Sequence, residues 1–184
     1  MKSLNITTFG EKNIPKLELF EKYISNMGKQ EGIKNKKDKK DGNGISIEKK
    51  FSDDKSMKLN IYEYYETKKV KDIDKIHCVI IVFDMTNREA FEDILNKWVK
   101  FLRDKNYKGH IILLGTNNSD NKNDLPMTDA EEATYLIEVA ELNAEFYDIR
   151  DKGDKEISKL IDDLIVTAYN NYKNNMNNKN CIIY

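Results

Sequence analysis

The spacing of hydrophobic residues changes along the chain, and the changes mark its elements. The longest unbroken apolar run, Val79 to Phe83, is rich in β-branched residues and stops at Asp84. Such a run suits a strand covered on both faces. Asp84-Met85-Thr86-Asn87 then reads as a turn in which Thr86 or Asn87 caps a helix. Behind it, Phe91, Ile94, Leu95, Trp98, Phe101 and Leu102 recur at helical spacing. A second buried run, His110 to Gly115, follows a short turn, so the centre of the chain predicts strand, helix, strand.

The flanks extend this pattern. Ser3 to Phe9 reads as a first strand, Pro15 as the first position of a helix, and Leu17 to Met27 as that helix, with Gly28 as its C-cap. Lys29 to Gly44 is rich in Lys, Asp and Gly and reads as a mobile loop. Ile45 to Phe51 and Met57 to Tyr62 read as a hairpin, and 63–76 as irregular. A polar loop follows Gly115, and Thr128 to Leu142 reads as a helix opened by a capping box. Glu145 to Ile149 is the last predicted strand, and Glu156 to Tyr172 the last helix. The expected fold is α/β: a three-layer, mixed, mostly parallel six-stranded sheet with helices on both faces. The expected division is a domain over 1–170, with a Lys-rich loop at 29–44, and a flexible Asn/Lys-rich tail over 171–184.

Composition narrows the classes. A net charge of -1 with 34% charged residues of mixed sign gives no global field for nucleic acid. Two cysteines, Cys78 in a buried strand and Cys181 in the tail, are a core thiol and a tail thiol, not a disulfide framework. Neither a signal peptide nor a bilayer-length apolar segment is read, and a cytoplasmic location is expected. His77 and His110 flank buried strands with no metal-ligand spacing.

The run Val-Ile-Ile-Val-Phe-Asp-Met-Thr-Asn-Arg-Glu-Ala-Phe at 79–91, followed by Trp98, resembles the fourth strand and following helix of Rab proteins. Leu59 to Tyr62, Thr128 to Ala133 and Phe146 match as well, and the resemblance to a small GTPase of the Ras superfamily covers roughly residues 3–170. It implies a P-loop NTPase-like G domain that binds GTP or GDP with Mg²⁺. The nucleotide motifs depart from the family pattern. The P-loop form G-x-x-x-x-G-K-[ST] aligns with Gly10 to Leu17, keeping Gly10 and Lys16. Pro15 stands for the second glycine and lacks an N–H, while Leu17 stands for the hydroxyl that ligates Mg²⁺. No Thr occurs between Thr8 and Thr67 to serve the first switch. The second switch, Asp-x-x-Gly-Gln in the family, reads Glu63-Tyr64-Tyr65-Glu66-Thr67. Glu63 could reach a metal through water or be an ordinary surface carboxylate.

The base-recognition Asn-Lys-x-Asp matches as Asn117-Asn118-Ser119-Asp120 with one extra loop residue, although such a cluster also suits a plain polar turn. The Ser-Ala-Lys motif reads Arg150-Asp151-Lys152. The resemblance therefore implies residual nucleotide contacts at Gly10, Lys16, Asn117, Asp120 and Lys152, no catalytic residues, and weak or absent GTP binding. Cys181-Ile182-Ile183-Tyr184 has the Cys-aliphatic-aliphatic-X pattern of prenylation, which implies a lipid at Cys181 and a peripheral position on a cytosolic membrane face.

Three functions stay open at this point. The first is a degenerate, membrane-tethered interaction module in vesicle trafficking or signalling, using Tyr62, Tyr64 and Tyr65 to hold effector-like proteins. The second is a divergent but active GTPase using Lys16, Glu63 and Asp120. The third is a fixed subunit of a larger complex.

Overall fold

The structure, a computed structural model, describes residues 3–31, 34–36, 44–51, 55–117, 131–132, 134–135 and 144–180. Its strands are β1 (Ser3–Gly10), β2 (Lys34–Lys36), β3 (Gly44–Lys50), β4 (Ser56–Tyr64), β5 (Cys78–Asp84), β6 (His110–Thr116) and β7 (Ala144–Asp148). They form one sheet in the order β2-β3-β4-β1-β5-β6-β7. The four pairings from β4 to β7 are parallel, and β2–β3 and β3–β4 are antiparallel. The sheet is mixed and mostly parallel, as the sequence implies. One strand is added to the six expected: Lys34–Lys36 pairs with Ser46–Glu48 at the edge of the sheet, inside the stretch read as a loop. An edge strand held by its backbone needs no apolar alternation, so sequence pattern is blind to it.

β5 shows why the opening run is unbroken. All seven of its residues are buried, and alternate ones serve opposite layers. Ile80 and Val82 join a core with Leu4, Ile6, Leu59, Ile61, Ile112 and Leu114. That core is closed by α1 (Lys16–Glu31) and α4 (Asp154–Asn180) through Phe20, Tyr23, Ile161 and Ile165. Val79, Ile81 and Phe83 point the other way, toward Phe91 in α2 (Arg88–Asp93) and Leu102 in α3 (Lys100–Asp104). A π-helical turn, Ile94–Val99, joins these two helices and carries Trp98, which stacks on Phe9 at 4.4 Å. Asn87 caps α2, accepting from the N–H groups of Glu89 and Ala90, while Thr86 donates instead to Asp84. A buried polar tie locks one layer: Tyr23 Oη and Lys49 Nζ each lie 2.7 Å from Asp162 Oδ1.

Three expectations about elements need correction. The first helix runs through Gly28 to Glu31, so Gly28 is not its C-cap. The last helix runs on to Asn180 through the Asn/Lys-rich stretch read as a flexible tail. No Gly or Pro interrupts 154–184, and Tyr172 anchors that stretch edge-on against His77 at 4.6 Å. The 63–76 stretch is less irregular than read: β4 reaches Tyr64, and 3₁₀ turns occupy Thr67–Lys69 and Ile73–Lys75. The helix read over Thr128 to Leu142 lies mostly outside the described residues, of which 131–132 and 134–135 are helical.

The topology places the site. After β1 the chain passes to one face of the sheet, and after β5 to the other. In a doubly wound sheet this reversal opens a crevice outside the carboxyl ends of the strands. The 10–16 loop sits there, between β1 and α1.

Candidate functional site

Gly10 ends β1 at φ +144°, a conformation that side chains rarely adopt. A Cβ there would meet the carbonyl oxygen of Val82 at 2.2 Å and Lys16 Cδ at 3.4 Å. Glycine is thus required both for the backbone angle and for the close approach of the Val82 carbonyl. Beyond it the loop closes on itself. The Ile14 N–H donates to Glu11 O at 3.4 Å, and the Lys16 N–H donates to Ile14 O at 2.9 Å. Pro15 has no N–H to offer.

The Lys16 side chain turns back into this loop and is fully buried. Its Nζ donates to the carbonyls of Glu11 and, at 3.0 Å, of Ile14. It also lies 3.6 Å from Glu63 Oε1 and 4.3 Å from the centre of the Tyr65 ring, a cation–π contact. Tyr65 Oη donates to Glu63 Oε2 at 2.5 Å, closing the cluster. Burial pulls the lysine down to about 8, against the opposing attraction of Glu63. Glu63 reaches this point because it continues the inward alternation Leu59, Ile61, Glu63 of β4.

GTP with Mg²⁺ needs N–H donors converging on phosphates and oxygen ligands for the metal. Here the carbonyls of Glu11 and Ile14 face a cation, the N–H groups of Ile14 and Lys16 bond within the loop, and Leu17 replaces the metal-binding hydroxyl. Glu63 faces Lys16 and Tyr65. This donor set does not fit a nucleotide phosphate and its metal.

Asn117 and Lys152 lie along the same carboxyl edge. Asn117 follows β6 and is half-buried; Lys152 follows β7 and is exposed. Between β7 and Lys152, Arg150 Nε lies 3.0 and 3.1 Å from the two carboxylate oxygens of Asp148, and Nη2 lies 2.6 Å from Oδ2. This pair holds the Asp148 carboxyl below its usual range. It sets a guanidinium where the family pattern has small residues. Asp120 and Cys181 lie outside the described residues. Tyr62 and Tyr64 leave β4 on the face opposite Glu63, and Tyr64 meets Phe9 edge-on at 6.4 Å.

Sequence reasoning brought Gly10, Lys16 and Glu63 forward, and the structure gathers them. It missed the pairing of Lys16 with Glu63 and the role of Tyr65 as their cover. The period-two alternation of β4 carried the signal for Glu63, because a carboxylate in phase with Leu59 and Ile61 must meet a buried partner.

A mixed α/β sheet with a glycine–lysine loop at its switch point defines a G-domain-like protein. The family model described as Ras family matches residues 6–170, and the chain belongs to that family. Members of the family generally bind GTP or GDP with Mg²⁺ and interact with effectors. No curated protein sequence matches the chain.

Proposed function

We propose that the chain is a degenerate, nucleotide-independent member of the Ras family that works as a protein-interaction module. The observation that carries this reading is the Lys16 ammonium, bonded to its own loop carbonyls and facing buried Glu63. In a working G domain this lysine answers the β- and γ-phosphates. Here its charge is answered within the chain, so the loop and the strand end bearing Glu63 hold one arrangement with no phosphate to sense. Tyr62 and Tyr64 on one face of β4, with Tyr65 just beyond the strand, then keep constant positions and present amphipathic rings to a partner. Rab-like work in vesicle trafficking or signalling fits this reading. Lipidation of Cys181 would hold the module on a cytosolic membrane face. A single prenyl chain gives reversible attachment.

The test is direct. Protein purified under native conditions is denatured and the supernatant analysed by chromatography for guanine nucleotides. The proposal expects none in stoichiometric amount; one GDP or GTP per chain overturns it. Mass spectrometry of the peptide containing Cys181 tests the tether, and an unmodified thiol in protein from its native cell removes it.

A further inference from the structure

Between β4 and β5 the chain crosses 65–77 by way of the two 3₁₀ turns. Beneath this crossing lies a groove of about 700 Å³. Its floor is the face of β1 and β4 that carries Asn5, Thr7, Tyr62 and Tyr64. A hydrogen-bonded line crosses the sheet toward it. Ser46 Oγ donates to Asn60 Oδ1, Asn60 Nδ2 to Asn5 Oδ1, and Asn5 Nδ2 to the carbonyl of Lys75, all at 2.8 or 2.9 Å.

Two features of this groove are unexplained by the fold. First, Thr7 is fully buried and its hydroxyl has no hydrogen-bond partner among the described residues. Its neighbours Asn5 and Asn60, by contrast, are hydrogen-bonded. A buried hydroxyl left unpaired is destabilising. Second, the rim is cationic. Lys68, Lys69, Lys71 and Lys75 line it in a chain whose net charge is -1. Lys68 and Lys69 share one carboxylate, Glu66, and Lys75 takes Asp72. Glu63, which also lines the groove, faces the Lys16 ammonium at 3.6 Å, although its Oε1 makes no hydrogen bond among the described residues. The rim therefore keeps an excess of positive charge.

We propose that this groove docks an acidic peptide segment of a partner protein. This deepens, and rests on, the reading of the chain as a fixed interaction module. Lys68 and Lys69 meet on the Glu66 carboxylate and Lys75 pairs with Asp72, so the rim already takes carboxylates within the chain, and an acidic peptide offers it the same chemistry. The volume is that of a site for several side chains. The tyrosine rings offer flat amphipathic contact area beside the charges. An acceptor brought to the floor by the peptide would satisfy Thr7.

The experiment is fluorescence anisotropy with the full chain and a labelled random copolymer of Glu and Tyr, in the presence and absence of GTP with Mg²⁺. Parallel arms use a copolymer of Lys and Tyr, inorganic phosphate as competitor, and phosphatidylserine vesicles. The Glu–Tyr copolymer is expected to bind saturably and to weaken with salt. Affinity should fall about tenfold or more in Lys71→Glu/Lys75→Glu, which alters only exposed side chains. It should fall by a smaller factor in Thr7→Val, with circular dichroism confirming that both variants fold. The proposal is overturned if the copolymer does not bind, if the Lys–Tyr copolymer binds equally, or if charge reversal leaves binding unchanged. Full displacement by millimolar phosphate, or tighter binding to vesicles with the same variant dependence, also overturns it. If GTP changes peptide binding, the groove stands and the nucleotide-independent reading fails.

Discussion

Lys16 Nζ and Glu63 Oε1 face each other across 3.6 Å, with side chains 0% and 4% exposed. Each is the reason the other can be buried. The loop carbonyls and Tyr65 complete their surroundings.

Removing one partner strands the other. Lys16→Met leaves the Glu63 carboxylate buried without its cation and is expected to destabilise the chain by about 3–5 kcal/mol. For a chain of this size that lowers Tm by roughly 6–20 °C. Lys16→Met combined with Glu63→Leu removes both charges and should recover most of the loss, because buried pairs are close to neutral against apolar replacements. A double-mutant cycle by urea denaturation measures the coupling. If Lys16→Met leaves stability unchanged, the pair is not a structural unit.

The pair also has a pH signature. Burial lowers Lys16 from the ordinary 10.5 to about 8. Between these values the unfolded chain holds a proton that the folded chain has released, so this group makes stability rise with pH across that window. Below about pH 8 its burial penalty is fully present. Glu63 and Tyr65 face the ammonium, and the Glu11 carboxylate also raises its pKa. Urea midpoints of the wild type relative to Lys16→Met should therefore improve from pH 8 to 10.5; a flat difference contradicts the buried placement of Lys16.

Gly10→Ala tests the loop from its other side. The new methyl would sit 2.2 Å from the Val82 carbonyl at φ +144°. The expected loss exceeds about 1 kcal/mol, read as a lower thermal midpoint. A neutral result would mean that the chain does not pass this close to β5.

The tie between β3, α1 and α4 gives an independent check on the fold. Asp162→Ala takes from buried Lys49 its carboxylate and from Tyr23 its acceptor. A loss of about 3 kcal/mol is expected, and Asp162→Asn should lose less because an acceptor remains. Denaturation midpoints of the two variants rank them.

Much of the fold was legible in the spacing of apolar residues. Val79 to Phe83 reads as a doubly covered strand because both of its faces meet apolar layers. Elements held by other means were not legible. β2 is held by backbone pairing, and the end of α4 by the absence of a breaker and by Tyr172. At the site, the departures at Pro15 and Leu17 are visible in the chain itself. The capture of Lys16 by the carbonyls of Glu11 and Ile14 is not, because the direction of a carbonyl follows from backbone angles that residue types do not specify.

The central claim is that Lys16 answers its own loop and Glu63 in place of a nucleotide. Isothermal titration of the purified chain with GTP and with GDP, each with Mg²⁺, tests it most directly. The account predicts no saturable heat at millimolar nucleotide. Submicromolar binding that depends on Mg²⁺ and is lost in Lys16→Met would contradict it.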